Sequence, residues 1–157
     1  METVVIFADI SGFTNLSEAC SRKGVQGNEE LALSINRYMD GMVNYLNQYG
    51  GDIIKFVGDA MIVMWPRSQS DGREDRVLLI RKAIQSAVNI QKDLHNKKIT
   101  ENVPGLKVKI GIGWGTCALL YVGGVFNRSE YFTVGVALER ALDCEGQCTD
   151  GGQIIVH

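Results

Sequence analysis

Val4-Val5-Ile6-Phe7-Ala8-Asp9-Ile10-Ser11-Gly12-Phe13-Thr14 is the stretch from which the fold can be built outward. Its β-branched and aromatic run stops at Asp9, and Ser11-Gly12 supplies turn chemistry, so it reads as a central strand followed by a turn that opens a helix. Beyond it, Leu31, Ile35, Tyr38, Met39, Met42, Leu46 and Tyr49 recur at helical intervals, with Asn28 as N-cap and Gly50 past the end. After Gly50-Gly51-Asp52, two apolar runs, Ile53 to Val57 and Ala60 to Trp65, are separated only by Gly58-Asp59. Two strands joined by two residues predict a hairpin with Asp59 at its tip.

A polar segment, Arg67 to Arg76, leads into a second helix carrying Val77, Ile80, Ile84, Val88, Gln91 and Leu94, which exits through a loop from Lys97 to Gly105. Lys107 to Gly113 then alternates: Val108, Ile110 and Ile112 share one face, while Lys107, Lys109, Gly111 and Gly113 share the other. Short strands at Thr116 to Val122 and Glu130 to Val134, a helix at Val136 to Cys144 and a last strand at Gln153 to Val156 complete the pattern. The order describes an α+β sandwich with helices packed on a mostly antiparallel sheet. Gly111-Ile112-Gly113-Trp114-Gly115 is not a dinucleotide fingerprint, because it lies along a strand and lacks the third spaced glycine; close packing explains it better.

A chain of 157 residues, 45% hydrophobic and 22% charged, suits one domain that needs neither disulfide nor structural metal for its core. Its 16 basic and 18 acidic residues form no basic stripe, which argues against a nucleic-acid partner. No apolar run approaches the roughly 18 residues of a membrane span, and no signal-peptide pattern opens the chain, so a cytoplasmic setting is expected. Cys20, Cys117, Cys144 and Cys148 lack metal-site spacing and companion histidines, which predicts reduced, mostly buried thiols. Strand-like runs almost at both termini predict a single domain, 1–157, excised from a longer multidomain protein.

Asp9 at a strand end and Asp59 in a hairpin tip could reach shared divalent cations, for which hard oxygen ligands are suited. An Asp in a turn commonly satisfies only its own backbone. Here the strand-end Asp stands beside a small-residue turn whose free N–H groups could hold phosphate oxygens. Phe7-Ala8-Asp9-Ile10-Ser11-Gly12-Phe13-Thr14 together with Gly51 to Ala60 resembles the class III nucleotidyl cyclase catalytic domain. Within that family the likeness is to the first catalytic half of the bicarbonate-responsive soluble adenylyl cyclases. It runs over nearly the whole chain, including Val108-Lys109-Ile110-Gly111 and Tyr131-Phe132-Thr133-Val134-Gly135.

The resemblance implies a ferredoxin-like or palm-type sandwich and a two-metal site for Mg2+ or Mn2+. Asp9 and Asp59 would bridge the ions, with the Ile10 carbonyl as a further ligand. It also implies phosphate contacts from Gly12, Phe13, Thr14 and Lys109, and a purine-reading or second-site role for Lys55. By residue chemistry alone, Lys55 between Ile54 and Phe56 needs an acceptor or an edge position, because an unpaired buried ammonium is costly.

Where a complementary half would carry Asn and Arg, this chain has Glu139 and Asp143, and Phe132 replaces an adenine-reading Thr or Asp. A transition-state arginine can supply roughly 10³–10⁵ in rate. The expectation is therefore a metal-carrying half that turns ATP into cyclic AMP only with a complementary cyclase domain. An intramolecular pseudo-heterodimer is expected, and a homodimer of the isolated chain would have weak or no activity. Arg140 is offset by two positions from an expected bicarbonate-contacting arginine. The rival readings are a silent regulatory module binding nucleotide or anion and, from Gly50-Gly51-Asp52, a diguanylate-cyclase-like domain.

Overall fold

The computed structural model describes residues 1–67, 73–97, 105–126 and 128–157. In chain order its elements are β1 (Glu2–Ser11), α1 (Phe13–Ser21), α2 (Val25–Gln48), β2 (Asp52–Val57), β3 (Ala60–Pro66), α3 (Arg73–Leu94), β4 (Lys107–Thr116), β5 (Ala118–Val125), β6 (Arg128–Val134), α4 (Val136–Gly146) and β7 (Ile154–Val156). The main sheet runs β2-β3-β1-β4-β7, with only β4 and β7 paired in parallel, and β5-β6 form a separate two-stranded ribbon. This is the expected α+β sandwich with a mostly antiparallel sheet.

β1 is the middle strand because both of its faces find cover. Val4, Ile6, Ala8 and Ile10 pack in the core containing Leu16, Tyr38, Met42, Leu46, Ala87 and Ile90 from α1 to α3. Val5 packs in a second cluster with Met64, Cys117 and, from α4, Ala137 and Ala141. A strand buried on both sides reads as an unbroken apolar run. Each fully buried aliphatic side chain contributes roughly 1.5–3 kcal/mol.

The first long helix begins earlier than the sequence indicates. Asn28 is not the cap: its N–H donates to the Gly24 carbonyl at 3.3 Å, and the cap is Gly24 itself, in a positive-φ conformation. Gly27 explains the shift, since a Cβ there would stand 1.8 Å from the Cys20 carbonyl oxygen, and only glycine lets the end of α1 abut the start of α2. Apolar periodicity reports the buried face of a helix and is blind to such backbone contact. At the other end Gly51 N–H donates to Leu46 O and Gly50 N–H to Asn47 O, with Gly50 at φ 74°, a Schellman termination. Gly50-Gly51-Asp52 is thus a helix stop. Gly51 also lies under the buried Trp65 ring, whose Nε1–H donates to Tyr49 O at 2.9 Å.

The second long helix starts at Arg73 rather than Val77, and the ribbon strands and α4 shift by a few residues from their expected ends. The exit loop expected before Gly105 and most of the polar segment after Arg67 lie outside the described residues. All four cysteines are free and buried, as anticipated.

On β4, Gly111 and Gly113 lie against α4. Added Cβ atoms would approach Ala141 O to 2.0 Å and Ala137 O to 2.3 Å, so the helix rests on the strand backbone. The Gly-x-Gly pattern is a packing device, in agreement with the close-packing reading.

Candidate active site

The register of β1 assembles the site. Asp9 pairs with Ala60 on one side and Lys109 on the other. Because Val57 pairs with Ala60, the β2–β3 turn consists of Gly58 and Asp59, with Gly58 at φ 65°. Asp59 is therefore the residue next to Asp9's cross-strand neighbour. Burial raises the pKa of the Asp9 carboxyl above its ordinary value, with further upward contributions from the charges of Asp59 and Glu145; Lys109 pulls the other way.

Gly12, at φ 96°, turns the chain from β1 into α1 and stands at the helix N-cap without a side-chain capping bond. The first-turn N–H groups of a helix have no intrahelical acceptor, so Phe13 and Thr14 bring unpaired donors next to the end of β1. Leu16 N–H makes the first return bond, to Gly12 O at 3.2 Å.

Lys109 lies on the face expected for it, away from Val108 and Ile110, yet it is not free: its Nζ is 3.7 Å from Glu145 Oε1, and both side chains are largely buried. Lys55 obtains both an acceptor and an edge. β2 is an edge strand, Glu130 Oε2 lies 3.6 Å from its ammonium, and the Phe132 ring centroid lies at 4.9 Å. Tyr131 between them donates its hydroxyl proton to Ile54 O, so the ribbon is fastened to β2 by three consecutive residues. Lys55 pairs with Ile62, two residues along β3 from the Ala60 that faces Asp9, and its side chain meets the ribbon. Glu139 and Asp143 are exposed on α4, and Arg140 is committed to the Trp114 carbonyl at 2.7 Å. Among the described residues, no group of three or more His, Cys, Asp or Glu side chains is arranged to enclose a metal ion.

The family model for the adenylate and guanylate cyclase catalytic domain matches residues 1–156. The chain belongs to that family. Adenylate cyclase type 10 of Rattus norvegicus is 30% identical to this cyclase domain over 138 residues, which is 87% of the chain and 8% of the rat protein. The adenylate cyclase of Anabaena cylindrica is 28% identical over 142 residues, covering 90% of the chain and 26% of that protein. Among solved structures, the adenylyl cyclase CyaB from P. aeruginosa is similar with a TM-score of 0.70 at 28% identity, over 99% of this chain and 76% of that one. The cyclase domain thus spans a small part of the curated relatives it matches.

Two residues of this cyclase domain escaped sequence reasoning. Glu145 lies 36 residues from its partner Lys109, and the one available clue was the glycine pair on β4 that draws α4 close. Tyr131 looked like one more strand aromatic, and nothing local marked its hydroxyl for the β2 edge. Among the described residues, no helix is long and apolar enough to cross a membrane.

Proposed function

We propose that this cyclase domain is the metal-carrying half of an adenylyl cyclase, forming cyclic AMP and pyrophosphate from ATP when a complementary cyclase domain completes the site. The observation that carries the reading is the juxtaposition of Asp9 and Asp59, two carboxylates brought to one sheet end although the Asp59 charge disfavours ionisation of Asp9. Such a donor set fits a hard divalent cation, which relieves the repulsion. Asp9, Asp59 and the Ile10 carbonyl would hold two Mg2+ or Mn2+ ions. When bound, the ions supply Lewis-acid polarisation of the α-phosphate and charge neutralisation of the leaving group.

The chain's own residues account for the rest. The N–H groups of Gly12, Phe13 and Thr14 take phosphate oxygens at the start of α1. Lys109 exchanges Glu145 for the terminal phosphate, so Glu145 holds the ammonium ready in the free protein. In the reaction the ribose 3′-oxygen loses its proton and bonds to the α-phosphorus as the bond to the bridging oxygen breaks. Glu139 and Asp143 place negative charge where a polyphosphate-binding half needs Asn and Arg, which supports dependence on a partner. The exposed apolar side chains of the β5–β6 ribbon support a covered interface, with the partner either elsewhere in the same polypeptide or, for the isolated chain, a second copy. Four free, buried thiols support a reducing, cytoplasmic setting.

The test is cyclic AMP and cyclic GMP production from ATP or GTP with manganese, by the chain alone and with an added complementary cyclase domain. Activity only in the pair, abolished by Asp59→Ala, is expected. Full activity in the Asp59→Ala pair refutes the metal assignment. A second reading, a silent regulatory or dimerisation module that binds nucleotide or anion, rests on the exposed Glu139, Asp143 and Phe132. Silence of every pairing with retained nucleotide binding would favour it.

A further inference from the structure

Lys109 is one of two lysines on its face of β4. Lys107 stands two residues earlier on the same side, roughly 7 Å away at ordinary strand spacing. β1 presents their cross-strand neighbours in matching order, Asp9 opposite Lys109 and Ser11 opposite Lys107. Ser11 is the last residue before the Gly12 turn, and its hydroxyl donates to Lys107 O at 3.4 Å. A Cβ on Gly12 would stand 3.7 Å from Gly105 O and 3.9 Å from Leu106 Cα, so the phosphate-facing turn lies against the backbone that leads into Lys107.

Both ammonium groups are held by carboxylates of one chain segment. Glu145, near the end of α4, takes Lys109, and Asp150, in the loop between α4 and β7, accepts from Lys107 Nζ at 3.2 and 3.5 Å. The pairs differ in burial: the Glu145 side chain is 15% exposed and the Asp150 side chain 72%. Hydrogen bonds from Lys107 and from the Gly151 N–H hold the Asp150 carboxyl below its ordinary value, so it is ionised at neutral pH. An ion pair this exposed is weak, and a phosphate group offers the same ammonium more charge than one carboxylate does. The reaction proposed above uses neither Lys107 nor Asp150.

We propose that Lys107 is a second phosphate-binding lysine, which leaves Asp150 to hold, together with Lys109, the terminal phosphate of the substrate and then the pyrophosphate leaving group. Asp150 occupies its ammonium in the free protein. The proposal rests on the phosphate site assigned above to Gly12, Phe13, Thr14 and Lys109, and extends it along β4. Two ammonium groups side by side favour a chain of phosphates over a single one, so Lys107 adds selection for polyphosphate length.

The experiment titrates pyrophosphate into the protein in magnesium buffer by calorimetry, with circular dichroism confirming the fold of each variant. Lys107→Gln should weaken binding about three- to tenfold. Asp150→Asn should tighten it about two- to fivefold by freeing the ammonium. A pair that only clasps the loop to β4 would not give these opposite signs. The double variant should bind like Lys107→Gln alone, because Asp150 acts only through Lys107. Lys107→Met keeps the stem packed on Gly151 and replaces the first variant if that one does not fold. Equal affinity in the Lys107 variant while Lys109→Gln weakens binding overturns the proposal and leaves the phosphate site standing. No binding by the wild type, or equal affinity in both lysine variants, overturns the phosphate site and this proposal with it. Loss of affinity in Asp150→Asn, or the same tightening in the double variant, overturns the exchange between Asp150 and phosphate.

Discussion

Substituting Gly111 by alanine tests the contact that sets the position of α4 and, through it, of Glu145. The new Cβ would stand 2.0 Å from Ala141 O and 2.4 Å from Glu145 N, both backbone atoms that cannot rotate away. Restoring ordinary contact requires the helix to lift by roughly 1 Å or more, against a packed interface. Overpacking of this kind costs about 1–3 kcal/mol, against less than ~1 kcal/mol returned by stiffening the unfolded chain. A net loss of about 2 kcal/mol lowers the urea midpoint by about 1 M at the slope usual for small domains. Gly146→Ala is the matched control: it is the last residue of the same helix, nothing lies within 4 Å of its added Cβ, and it should gain a few tenths of a kcal/mol, up to ~1. Equilibrium urea unfolding followed by circular dichroism measures both. If Gly111→Ala unfolds at the wild-type midpoint, the helix does not rest on the strand backbone and the argument for Glu145 beside Lys109 fails with it.

The raised pKa of Asp9 makes the native state take up its proton before the unfolded chain does as the pH falls, so the ionised form weakens the fold above that range. In metal-free buffer Asp9→Asn should therefore raise the unfolding midpoint at pH 7. The advantage should shrink on acidification through the raised native value and vanish below the ordinary 3.8, a course read from midpoints across that range. Trp65→Phe strands the Tyr49 carbonyl and should cost about 2 kcal/mol by the same unfolding assay. Glu130→Gln removes the negative charge from a largely exposed ion pair with Lys55 and should change stability by less than about 0.5 kcal/mol.

Much of the geometry of the candidate site was legible because strand-end and turn chemistry are local. The halt of the β1 run at Asp9 and the two-residue gap at Gly58-Asp59 located both carboxylates, and pairing β1 with β3 brought them together. The side of β4 that carries Lys109 followed from period-two alternation. What could not be read was tertiary. Glu145 reaches Lys109 only because Gly111 and Gly113 admit α4, a contact that leaves no periodic trace. Asn28 had the chemistry of a cap, but the α1–α2 junction is set by Gly24's conformation and Gly27's missing side chain.

The β5–β6 ribbon has a thermodynamic consequence of its own. Leu120, Tyr121 and Val122 are successive residues pointing to alternate faces, and all are exposed, as is Phe126 at 92%. Both sides of the ribbon thus carry exposed apolar side chains, and its polar and cation–ring fastening to β2 among the described residues comes from Glu130, Tyr131 and Phe132. A two-stranded ribbon is at best marginal in water without a covered face. If a second copy covers it, as proposed above, its order becomes a function of molecules per volume: dilution should then fray the ribbon well before the five-stranded sheet yields, and with it the surroundings of Lys55.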